Sequence, residues 1–130
     1  MASENKAHDE MVALGLKMMR AAEAGDMATV RACYTEDAML WVNTRRTAIG
    51  IDDHIKMIEA MRGRAGNIRY LDIRITPFAG GFVMQHQVLG DLPGGKQLDI
   101  DACFVVKVRD GKIAYRDEYI DSAAQAPVRD

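Results

Sequence analysis

The chain is short of the residues that usually announce a function. It has two cysteines, three prolines, one tryptophan and three phenylalanines in 130 residues. Cys33 and Cys103 carry no metal-ligand spacing around them, so they read as buried free thiols of a reducing compartment rather than as a zinc site or a disulfide framework. No apolar run is long enough to span a bilayer, and Met1-Ala-Ser-Glu-Asn-Lys6 has no apolar signal core. The expectation is a cytoplasmic protein with no membrane partner. A large excess of either charge is missing too: the formal net charge of −2 offers no basic field for nucleic acid. Neither a repeat nor a low-complexity segment is visible, and 130 residues suffice for one domain with a real core, with a loose tail at about 123–130.

What the chain does have is pattern. Met11, Leu14, Met18 and Ala22 recur at spacings of three and four, an apolar stripe that predicts a helix from Lys6 to Ala24, closed by Gly25. Asp26 is a cap for a short second helix through Met27, Val30 and Tyr34, broken by Thr35-Glu-Asp37 before a strand Ala38–Asn43 and a polar loop Thr44–Thr47. Gly50 and Asp52 or Asp53 introduce a third helix with Ile55, Ile58 and Met61 on its buried side. Residues 68–77, 81–89, 97–109 and 113–121 are β-rich and separated by Ala79-Gly-Gly81, Leu92-Pro-Gly-Gly95 and Asp110-Gly111, so they predict consecutive hairpins. Helices first and a long meander after predict α+β: a cone-shaped curved antiparallel sheet with three N-terminal helices packed on its concave side. Such a cone leaves an apolar pocket at its open end.

The last strand carries the first candidate site. Tyr115, Asp117, Tyr119 and Asp121 share one parity, and Ala114, Arg116, Glu118 and Ile120 the other. With the tyrosine face turned inward, Asp117 becomes a carboxylate in an apolar cup, where desolvation raises its pKa and makes it a general base. With that face outward, the same residues are a solvated strand end.

The order of Ala24-Gly-Asp26, Tyr34-Thr-Glu-Asp-Ala38, the Gly50-led helix and the closing Asp110-Gly-Lys-Ile113…Tyr119-Ile-Asp121 resembles the nuclear transport factor 2-like superfamily, the cone fold of SnoaL-like polyketide cyclases and ketosteroid isomerases. Locally, Leu92-Pro-Gly-Gly-Lys96 and Tyr115-Arg-Asp117 resemble limonene-1,2-epoxide hydrolase. That resemblance implies Asp117 as the residue that activates water, with Tyr115 where the family has tryptophan. The family's arginine and second aspartate fall on Gln85 and Gln87, which could orient water or donate to an oxyanion but are poor acids. Its polar pair on the first strand falls on Leu40 and Val42. The base and acid positions of ketosteroid isomerases fall near Val42 and Phe104, both apolar.

The resulting expectation is a cofactor-free, metal-free general acid/base enzyme acting on a small hydrophobic or aromatic molecule. Asp117, Gln85, Gln87 and Tyr115 are its catalytic residues, and Leu40, Val42, Ile100, Ala102 and Tyr119 its substrate contacts. Epoxide hydrolysis is the nearest resemblance. A lyase, dehydratase or isomerase reaction in the same pocket stays open, and so does a non-catalytic ligand-binding or dimerisation module.

The strand register decides between two residue sets. In the register above, His86 lies outside with Phe82, Met84 and Val88, on the face where cone-fold proteins pair as homodimers; one residue out of phase, His86 faces the cup with Asp99 or Asp101 as a His-Asp dyad. Leu98, Ile100, Ala102 and Phe104 alternate with those acids, which places the acids outside. His54 is in the first turn of the third helix, with opposing influences on its protonation. Arg45-Arg46 lies by the cone mouth, where a guanidinium could hold a carboxylate or phenolate or simply remain solvated. Trp41 groups with Met39 and Asn43 on the outer face.

Overall fold

The computed structural model describes residues 2–121 and 123. The proposed tail at 123–130 therefore lies almost wholly outside the described residues.

Helix α1 (Ala2–Ala24) lays Met18, Met19, Ala21 and Ala22 against the sheet, with Met11 and Leu14 at the margin. It approaches closely at Gly15, where a Cβ would stand 2.8 Å from Ile75 Cδ1 and 3.3 Å from the Phe82 ring. Gly25 ends it with φ 77°, the left-handed turn that glycine adopts without strain. Asp26 caps α2 (Met27–Ala32) as its side chain suggests, accepting from the Thr29 amide at 3.1 Å.

The second helix stops before Tyr34, and β1 (Tyr34–Val42) begins there, four residues earlier than the periodicity predicts. Tertiary pairing overrides local propensity: Tyr34 pairs with Ile113, the Ile113 amide donates to the Cys33 carbonyl at 2.8 Å, and the Tyr34 side chain is buried. The loop at Thr44–Thr47 is shorter than expected, because Thr47 opens the edge strand β2 (Thr47–Gly50), too short to show a period. Helix α3 (Ile51–Arg64) follows with Gly50 as N-cap, so Asp52 and Asp53 sit in the first turn, facing the helix dipole rather than capping it.

The hairpins form β3 (Gly66–Phe78), β4 (Gly81–Asp91), β5 (Gln97–Arg109) and β6 (Lys112–Ile120), with a 3-10 turn at Pro93–Gly95 between β4 and β5. The six strands run in the order β2-β1-β6-β5-β4-β3, with β1 parallel to β6 and every other pair antiparallel. Register shifts interrupt β3 between Leu71 and Arg74 and the β5/β6 pair between Lys107 and Val108; such bulges bend a sheet, and the concave side takes the helices.

The register fixes the faces. Residues directly opposite each other share a face, so three inner rows cross β4, β5 and β6: Phe82, Val106 and Arg116; Met84, Phe104 and Glu118; His86, Ala102 and Ile120. The outer rows are Val83, Val105 and Asp117; Gln85, Cys103 and Tyr119; and Gln87 beside Asp101. Phe82 and Val106 are completely buried. On β1, Leu40 stands beside Arg116 and Val42 beside Glu118. Asn43 carries that alignment past the strand end, its side chain accepting from the Ile120 amide and donating to the Ile120 carbonyl, both at 2.9 Å.

Candidate active site

Between α1, α3 and the concave sheet lies a cavity of about 240 Å³. Its walls are mainly apolar: Met18, Met19 and Ala22 from α1, Met57, Ile58 and Met61 from α3, and Leu40, Val42, Val88, Ile100, Ala102 and Ile120 from the sheet. Into this lining project His54, Tyr70, His86, Arg116 and Glu118, while Arg45, Thr47 and Arg64 contribute to the same wall. Of the residues expected to contact substrate, Leu40, Val42, Ile100 and Ala102 are in the cavity wall.

The catalytic set expected from the sequence is placed otherwise. Asp117 and Tyr119 sit in outer rows with Gln85 and Gln87, and Tyr115 opposes Lys107; none of the five lines the cavity. Gln87 shows why. It pairs with Asp101, so it cannot share a face with Ala102, and its amide donates to Asp99 at 2.9 Å instead. Tyr119 is 46% exposed and meets Trp41 at a tilt, ring centroids 5.5 Å apart. Tyr115 lies beside Asp117, and its phenol is shifted upward first by burial and then by that carboxylate. The alternative register is the one adopted, but without its dyad: His86 faces the cup opposite Ala102, and Asp99 and Asp101 point away.

Arg116 organises the cup. It is 3% exposed, donates from Nη1 to the Tyr34 hydroxyl at 2.7 Å and from Nη2 to Glu118 Oε1 at 3.0 Å, and lies 4.1 Å over the Phe104 ring. A guanidinium is tolerated in such surroundings because a carboxylate, a phenol and an aromatic face replace its water. Its Nε is nevertheless buried without a hydrogen bond.

His86 touches the other flank of this assembly. Its ring meets Phe104 edge to face at 4.7 Å and Tyr70 at 5.8 Å. It is 5% exposed, and its buried Nδ1 has no hydrogen-bond partner. Burial, reinforced by the Arg116 charge, lowers its pKa to about 4, so the imidazole is neutral at ordinary pH. His54, in ring contact with Tyr34 at 6.0 Å, is held well below the usual histidine range by burial and then by Arg116. Burial likewise raises Tyr34 and pushes Tyr70 up to about 12, which keeps both phenols protonated. The cup therefore combines two neutral imidazoles, protonated phenols and a fixed ion pair. Among the described residues, no group of three or more His, Cys, Asp or Glu could hold a metal ion, and no helix is long and apolar enough to cross a membrane.

Sequence reasoning passed over Arg116, Glu118, Tyr34 and Tyr70 as site residues. The available signal was the parity shared by His86 with Phe82, Met84 and Val88, and by Glu118 with Ile120.

The family model described as "SnoaL-like domain" matches residues 16–116. No curated protein sequence matches the chain. Among solved structures, an NTF2-like protein from Burkholderia xenovorans LB400 is 18% identical with a TM-score of 0.76, covering 95% of this chain and 98% of its own. A Xanthomonas campestris pv. campestris protein, provisionally named a polyketide cyclase, is 19% identical with a TM-score of 0.80, covering 93% and 98%. A Bacillus subtilis protein, provisionally named an isomerase, is 15% identical with a TM-score of 0.78, covering 93% of each chain. At these identities the structures share the cone fold with this chain, and the matched span joins it to a family: the protein is a member of the SnoaL-like domain family, within the NTF2-like fold.

Proposed function

We propose that this protein is a cofactor-free proton-transfer enzyme of the lyase, dehydratase or isomerase type, acting on a small hydrophobic or aromatic carbonyl compound, with His86 as its base. The observation that carries the reading is His86 itself: a neutral imidazole with an unpartnered nitrogen, buried in the wall of an apolar cup. An unsatisfied buried polar atom costs about 1–3 kcal/mol, so an imidazole kept in this wall at that cost is an exception to the pairing of buried polar groups.

In the proposed reaction His86 takes a proton from the carbon next to the carbonyl, and the C–H electron pair moves to the carbonyl oxygen. Tyr70, its phenol protonated and its ring 5.8 Å from that of His86, donates to that oxygen, and Arg116 stabilises its negative charge through the low-dielectric cup. A free imidazole of such low pKa is a weak base. The enolate formed beside it offsets this, because the imidazolium then has a counter-charge that the empty cup lacks. The proton returns to another carbon in an isomerase, or to a departing hydroxyl in a dehydratase. The names of the Xanthomonas and Bacillus relatives fit this class. Water activation by Asp117 for epoxide opening lacks support, since Asp117 lies on the outer face.

The test is exchange of the α-protons of 2-tetralone in D2O, followed by proton NMR. The wild type should accelerate exchange over buffer, His86→Phe should abolish the acceleration, and Tyr70→Phe should lower it about a hundredfold. Acceleration retained by a folded His86→Phe would sink the assignment; tetralone binding without acceleration in the wild type would favour the ligand-carrier reading.

We also place the expected homodimer on the outer face, where Met39 and Tyr119, 40% and 46% exposed, flank Trp41. Sedimentation of the wild type against Tyr119→Lys tests it.

A further inference from the structure

Charge in the cup is unevenly matched. In its buried part Arg116 is balanced by Glu118 at 3.0 Å. In its exposed part Arg45 lines the same cavity, yet makes no ion pair among the described residues. Its Nη1 instead donates to Met57 Sδ at 3.1 Å, a thioether and so a weak acceptor. The backbone of Arg45 is held by the turn after β1, where the Arg45 and Arg46 amides donate to the Val42 carbonyl at 3.3 and 2.8 Å. A guanidinium fork is thereby presented at the wall of an apolar cup, resting on a partner that any carboxylate would displace.

We propose that Arg45 receives the acidic group of the substrate, so that the cup takes a small hydrophobic or aromatic acid with its carboxylate or phenolate toward Arg45 and its carbon skeleton toward His86. This rests on the reading of the cup as a substrate site and narrows it to one substrate class. The arrangement has a physical logic. An acid carried into the buried part would face Glu118 and lose its hydration, whereas at Arg45 it keeps water and gains a charge-assisted hydrogen bond. Met57 and Val42, which also line the cavity, would cover the first apolar atoms behind the acid.

The test is calorimetric binding of 2-naphthoate and its neutral isostere 2-naphthamide, on the full-length protein at low and moderate salt. The wild type should bind naphthoate about tenfold more tightly, the ratio falling with salt. Arg45→Met should bring the ratio to about one while leaving naphthamide affinity unchanged, and Arg45→Lys should restore part of it. Equal affinities in the wild type, a preference that survives Arg45→Met, or no binding of either probe would each overturn the proposal. His86→Phe separates the two readings: loss of tetralone exchange with the naphthoate preference intact supports the Arg45 assignment, and tetralone exchange with no naphthoate preference overturns Arg45 alone.

Discussion

Arg116 and Tyr34 are joined by a buried hydrogen bond, Nη1 donating to the phenol oxygen at 2.7 Å, across the parallel pair of β1 and β6. Because Tyr34 begins β1 and Glu118 follows two residues along β6, a single guanidinium ties the first strand to the last. Removing the buried Arg116 leaves its part-buried partner Glu118 uncompensated. Arg116→Met should therefore lower the urea-unfolding free energy by about 3–5 kcal/mol, and the double variant Arg116→Met/Glu118→Leu should recover most of that. A double variant no more stable than the single one would show that Glu118 is not what Arg116 compensates.

The stability of the fold should depend on pH through His86. Its folded pKa of about 4 lies below the ordinary value of 6.5, so between these limits the unfolded chain binds a proton that the native state refuses. The contribution is complete above pH 6.5 and is lost as pH falls toward 4, a difference of about 3 kcal/mol. His54 is shifted in the same direction and adds to the loss. Unfolding curves at pH 7, 5.5 and 4.5 should show the decline, and His86→Phe should make it shallower, leaving the share of His54; an unchanged slope would mean that His86 is protonated in the native protein.

The same shift sets an activity profile. For the free enzyme the acid limb of kcat/KM should fall near pH 4 rather than near 6.5, since the base stays neutral down to that value. Initial rates of 2-tetralone exchange between pH 4 and 8 would decide. An acid limb near 6.5 would indicate a solvated histidine and contradict the enclosed site.

Asp117→Asn and Gln85→Leu should leave tetralone exchange within about twofold of wild type, because both residues stand in outer rows of the sheet. Loss of turnover in a folded Asp117→Asn would restore Asp117 to the mechanism and require the cup to include the outer face.

Gly81→Ala should be strongly destabilising. A Cβ there would lie 1.9 Å from the Val106 carbonyl oxygen, a clash with backbone that no rotamer relieves. The expected result is loss of the cooperative thermal transition or a large fall in Tm. Gly63→Ala, whose Cβ meets nothing within 4 Å, is the control and should change Tm little or raise it.

Some of this protein was determined by local pattern alone. The apolar stripe of α1, the Asp26 cap and the glycine-bearing turns before β4, β5 and β6 depend on residues near one another in the chain, and the elements formed there. The alternation of Leu98, Ile100, Ala102 and Phe104 with Asp99 and Asp101 likewise settled which side of β5 is covered. In β6 both parities carry apolar and charged residues, so alternation could not choose between Asp117 and the pair Arg116 and Glu118. That choice was made by strand pairing, which sets Phe104 opposite Glu118 and Val106 opposite Arg116. The inward charges are supported by Tyr34, some eighty residues away in the chain, and no local signal contains that distance. A strand's period of two says only that neighbours face apart; which side is inside is decided by what closes over it.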